Sequence, residues 1–275
     1  VEKSTQYWLW GCGCGCALVL VGIGLLFAGG AWFVRDTTRG FEEAIESRAV
    51  LEERFGETDA YVPPPDAVPA ERIETFLAVR EATAPAARAL ADAFAALPNQ
   101  EEAEELDAKP FLEKMREVFD ITQSAVGLGA DVGNFFEARN RALLEQEMGL
   151  GEYSYLYVVT YYGFLGHDPR DSLEDVPMPN VAARRLSGEL RSMLHHQLDA
   201  LPADAPEGWR ERIAAEIATL EEEPRRLPWA DGLPEPIAAS LEPYRDRLEA
   251  SYRAETNPFE LGRNKRRGRF SIQAE

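Results

Sequence analysis

The residues with which this chain could do chemistry are few: three histidines, three cysteines and a run crowded with tyrosine. His167 stands beside Asp168, a pairing that suits proton transfer, but neighbours in sequence more often close a polar turn, here between Gly166 and Pro169. His195 and His196 are also adjacent. Two helix residues that share a metal are spaced three or four apart, so no metal site is expected there. Cys12, Cys14 and Cys16 alternate, and only Cys12 and Cys16 share a helix face. No cysteine follows Cys16, which leaves the rest of the chain without a disulfide or a thiol nucleophile.

The stretch from Gly127 to Gly133 invites comparison with a dinucleotide loop, where glycines let the backbone approach a pyrophosphate. Its spacing is off by one, and the segment before it reads as a helix instead of a strand, so a joint between helices or a close packing point is expected. The acidic run Glu101 to Asp107 has no accompanying histidine and reads as a solvated loop or a helix start. Nucleophile-elbow, zinc-protease, paired-cysteine and phosphate-loop sequences are all missing. No catalytic residue, metal or cofactor is therefore assigned.

The tyrosine run, Tyr153 to Phe164, has two readings. Alternation would make it a strand. Helical spacing puts Tyr153, Tyr157, Tyr161 and Phe164 in one stripe, and the helix is preferred because no second convincing strand exists to pair with it. The stripe is then either the core of the domain or the wall of a pocket for a lipid-like or aromatic ligand. Aromatic stripes at helical spacing usually just pack, so the core is preferred; those four residues are the candidate ligand-binding set in the other reading, because each buried tyrosine hydroxyl needs a partner and makes a costly core filler.

The element that must position all of this is Gly11 to Val34, 24 residues without a charge. As a helix it reaches about 36 Å, enough for a hydrocarbon layer about 30 Å thick. Tyr7, Trp8 and Trp10 precede it and Trp32 and Phe33 close it, at the places where amphipathic rings prefer to sit. A cleaved signal peptide is the competing reading, but the apolar run continues past its small-residue site and the amino end carries only Lys3. Gly11, Gly13, Gly15, Gly22 and Gly24 thin the helix and suit close packing against a partner helix or a second copy.

Charge is uneven along the chain. The formal net charge is −19, yet Thr37 to Gly262 holds 22 bases against 45 acids, or −23, while five bases fall from Arg263 onward. The acidic body disfavours nucleic acid and anionic lipid as partners; the basic tail could meet anionic surfaces, fold back on the body or stay solvated.

The expected fold is all-α: one N-terminal transmembrane helix followed by a soluble domain of about six to eight helices. The expected divisions are a short segment 1–10, the membrane helix 11–34, a juxtamembrane helix 35–56, a Pro-rich linker 57–69, the helical domain 70–258 and the basic tail 259–275. Gly56 and Pro63 to Pro65 are expected to stop the juxtamembrane helix, Pro85 to kink the next, and Gly149 to supply a left-handed cap. Asp204 to Glu207 reads as a capping box, and Pro243 as a helix restart.

Together these features suit a single-pass, membrane-anchored interaction module such as a scaffold, accessory subunit or sensor. Its partners would be the bilayer and a membrane protein or a second copy. It would sit in the inner (cytoplasmic) membrane with the domain on the periplasmic side. Bases near the span taken alone favour the opposite orientation, but long domains cross largely regardless of charge. A ligand-binding protein is the alternative, and an enzyme ranks last.

Overall fold

The computed structural model describes residues 42–64, 66–95, 111–168, 180–203, 205, 208–224 and 226–260. The run 11–34 with its five glycines and three cysteines, the acidic run 101–107, the tail beyond 260 and most of the expected capping box lie outside these residues. Among the described residues every regular element is helical, and no helix is long and apolar enough to cross a membrane.

Helix α1 (42–55) buries Ala44 and Leu51 and ends at Gly56, whose φ of 84° is the left-handed conformation glycine adopts without strain. The Pro-rich segment that follows is packed on the body. It forms a short 3₁₀ turn, Thr58–Ala60, pressed against the start of α4 (Leu150–Tyr157) and against α5 (Asn180–Ala200). At Gly151 a Cβ would stand 2.6 Å from the Cβ of Tyr61 and closer still to the Thr58 carbonyl, so only glycine admits this approach.

Helix α2 (Ala70–Ala95) runs through Pro85 without a break. A mid-helix proline removes a backbone bond at a cost of about 3 kcal/mol. Burial on both sides, at Phe76 and Val79 before it and Ala87 and Leu90 after it, holds the two halves together. Helix α3 (Phe111–Glu145) likewise passes straight through Gly127 to Gly133, so the expected joint is a continuous helix. Among the described helices its pairing with α2 is the most extensive.

The left-handed cap falls at Glu147, with φ of 51°, and not at Gly149, which is extended and precedes α4. Met148 N–H donates to Leu143 O at 2.9 Å and Glu147 N–H to Leu144 O, closing the last carbonyls of α3. The fully buried Met148 side chain and the Arg54–Glu147 ion pair anchor a geometry that a non-glycine residue adopts at a cost of about 1 kcal/mol.

Helix α5 pairs with α6 (Trp209–Glu222). The first described residue before α6 is Gly208, left-handed and without a side-chain cap; burial of Trp209 against Trp229, with rings stacked at 6.5 Å, fixes where α6 begins. Helices α7 (Glu235–Leu241) and α8 (Arg245–Ser251) meet at a 3₁₀ turn containing Pro243, the expected restart. The described chain closes with α9 (Asn257–Glu260), which follows the 3₁₀ turn Ala254–Thr256 packed on α2.

Candidate functional site: a buried tyrosine and arginine cluster

The tyrosine run is helical, and after Tyr157 it widens into a π-helical turn, Val158–Phe164, in which Leu165 N–H reaches back five residues to Thr160 O at 2.9 Å. Such turns are uncommon and often mark functional positions. Tyr153, Tyr157 and Tyr161 project on one side, each buried to 1% exposure or less. Tyr157 and Tyr161 meet edge to face at 4.7 Å, and Phe76 of α2 touches both Tyr153 and Tyr161.

Arg80 sits among these rings. Its place follows from α2, where Ile73, Phe76, Leu77 and Arg80 recur at three- and four-residue steps and so face the core together. The guanidinium lies 5.2 Å from the Tyr157 ring centre and 5.5 Å from that of Tyr161. Its Nη1 donates to Tyr153 Oη at 2.9 Å and to Glu260 Oε1, and its Nη2 to Ser251 O at 3.1 Å. Arg139 of α3 approaches the same carboxylate from the other side, with Nη1 3.3 Å from Glu260 Oε2.

The remaining hydroxyls are also tied to the C-terminal segment. Tyr153 Oη donates to Glu260 Oε1 at 2.9 Å, Tyr157 Oη to Asn257 Oδ1 at 2.7 Å, and Tyr161 Oη lies 2.7 Å from Ser251 Oγ. Asn257 Nδ2 in turn donates to Tyr252 Oη at 2.9 Å. Five helices, α2, α3, α4, α8 and α9, thus share one network.

Burial raises the Tyr153, Tyr157, Tyr161 and Tyr162 hydroxyls above the ordinary phenol range, with nearby Glu260 or neighbouring tyrosines adding to the rise and Arg80 opposing it. They are therefore neutral donors at physiological pH, and the charges in the cluster are those of Arg80, Arg139 and Glu260. Two guanidiniums grip one carboxylate between them, an arrangement suited to holding elements together.

Of the residues expected to line a pocket, Tyr153, Tyr157 and Tyr161 are in this packed interior. Phe164 is apart from them: it borders an open cleft of about 360 Å³ with Leu233 and Ala238, and Arg245 stacks 4.2 Å from its ring centre. A second cleft, of about 280 Å³, lies against Arg80. Neither cleft is lined by Tyr153, Tyr157 or Tyr161. His167 stacks on Tyr252 at 3.8 Å and pairs with Glu249, with Nε2 3.2 Å from Oε2. His195 and His196 are exposed, and among the described residues no cluster of histidine, cysteine and carboxylate could hold a metal.

Sequence reasoning passed over Arg80, Arg139, Asn257 and Glu260. For Arg80 and Arg139 a signal existed, since each continues an apolar helix face, Phe76 to Arg80 and Phe135 to Arg139. Asn257 and Glu260 lie in a four-residue helix too short to show a period. Comparison with protein-family models, with curated proteins and with solved structures found no match to this chain.

Proposed function

We propose that this chain is a single-pass, membrane-anchored helical interaction module, held by the run Gly11 to Val34 in the inner membrane with its body on the periplasmic side. The observation that carries the reading is the run itself: 24 uncharged residues flanked by tryptophans, directly before an acidic helical body. The body supports it in a second way. Its interior is tied across distant parts of the chain by the Arg80, Arg139 and Glu260 network, which suits a scaffold that must present a fixed surface. Helix α1, the described helix nearest the run, exposes Ile45 and Val50, apolar side chains available to a membrane-protein partner or a second copy.

Fractionation tests the anchor. The full chain should stay with membranes through alkaline carbonate washing and leave them in detergent, and a version lacking residues 1–36 should move to the wash. Native full-length chain recovered in the wash would end the proposal. A photo-crosslinking residue at Ile45 should give one discrete adduct in intact membranes, and protease access in spheroplasts reads the orientation.

A further inference from the structure

Two buried guanidiniums face one buried carboxylate in the cluster: Arg80 and Arg139 are 4% and 8% exposed, and Glu260 is 7% exposed. Among the described residues no other acid joins them, so the cluster holds one positive charge more than it neutralises. An unbalanced buried charge is costly, and a counter-ion relieves it. Arg80 Nε is also buried without a hydrogen-bond partner.

The place for a counter-ion is the cleft of about 280 Å³ against Arg80. Arg247 and Arg253 stand on its walls, and Leu77, Ala84 and Ala250 supply apolar surface. Arg253 uses Nη1 on the carbonyls of Ala250 and Tyr252 and has no carboxylate partner among the described residues. Arg247 is paired outward to Glu74 at 2.8 Å. Glu81 also lines the cleft and limits how much negative charge it can accept. Three guanidiniums thus line one cleft against a single lining acid, in a body of net charge −23.

We propose that this cleft binds a small organic monocarboxylate, its carboxylate on Arg253 and the Arg80 side of the cleft and its short aliphatic part on Leu77, Ala84 and Ala250. One negative charge matches the excess of one, whereas a dianion would meet Glu81. The guanidinium fork matches a carboxylate, and the volume suits a ligand of a few carbons. The inference does not depend on the membrane-anchor reading.

Titration calorimetry on the full chain in non-ionic detergent tests it, with hexanoate as the probe and 1-hexanol, hexylammonium and inorganic phosphate as controls. Hexanoate should bind saturably, one per chain, and more tightly than all three controls. Arg253→Gln should weaken it by about tenfold or more, the loss expected for one charge-assisted hydrogen bond, while the ligand-free variant keeps the parent's circular dichroism spectrum. If Arg253→Gln does not fold, Arg247→Gln removes a second guanidinium from the cleft and should also weaken binding. No saturable hexanoate binding up to about 10 mM, equal binding of 1-hexanol, tighter binding of phosphate, or unchanged affinity in the folded variant would each overturn the proposal.

Discussion

Tyr155 and Tyr157 lie two residues apart on α4 and are buried to the same degree, 1% exposed. Tyr157 donates its hydroxyl to Asn257 at 2.7 Å and lies under the Arg80 guanidinium. Tyr155 packs its ring against Tyr61 at 5.9 Å, and its hydroxyl has no hydrogen-bond partner. One side of the helix uses tyrosine for its oxygen, the other for its ring. Residue type and burial together do not say which, because what differs is whether a polar group from the C-terminal segment arrives opposite the hydroxyl.

Alkali should act on both sides at once and with the largest effect. Tyr61, Tyr153, Tyr155, Tyr157, Tyr161 and Tyr162 all have folded-state pKa values raised above the ordinary 10.0, chiefly by burial. Above about pH 10 the unfolded chain releases these protons and the folded chain keeps them, so the associated stability is complete below that pH and drains away as pH rises. Each tyrosine adds about 1.4 kcal/mol per pH unit to the slope. Urea denaturation from pH 9 to 11.5 should show a steepening fall in stability; a flat profile would mean that these rings are open to water.

Removing the acid that serves the polar side comes next. Glu260→Gln should cost about 3–5 kcal/mol by urea denaturation, because it strands two guanidiniums in the interior. Glu249→Gln, which breaks only the exposed pair with His167, should change stability by less than about 0.5 kcal/mol. If the two losses were equal, the cluster would be no tighter than a surface contact.

The sharpest contrast is between the two tyrosines. Tyr157→Phe should cost about 1–3 kcal/mol, since it takes the donor from Asn257 Oδ1 in the interior. Tyr155→Phe, the smallest effect expected, should fall within about 0.5 kcal/mol of the parent or raise stability, because it removes a hydroxyl that is buried and unbonded. Equal costs would erase the distinction drawn between the two sides.

Much of the fold was legible in the sequence because its apolar spacing is regular. Leu190, Met193 and Leu194, then Ile213, Ile217 and Leu220, then Ile237, Leu241 and Leu248 all fall in the core that their periods imply. The stripe of Tyr153, Tyr157 and Tyr161 was legible too, but not its chemistry, since spacing orients side chains without naming what meets them. Local breakers misled where tertiary packing outweighed them: Gly127 to Gly133 sit inside a continuous helix, and the left-handed residue is Glu147 instead of the glycine two positions on. Charged residues in a strongly acidic chain look like surface, which is why Arg80 and Glu260, 180 positions apart, were not paired.

That separation has a bearing on how the molecule is made. Synthesis runs from the amino end, so α2, α3 and α4 leave the ribosome well before Glu260 does. Until it arrives, the nascent chain holds two cations that no acid of its own has come to meet, and its aromatic centre stays ajar. Contacts this distant are slow to form. A stalled or prematurely terminated product would therefore be distinguishable from a finished one by its open interior alone, a difference that cellular proteases are equipped to read.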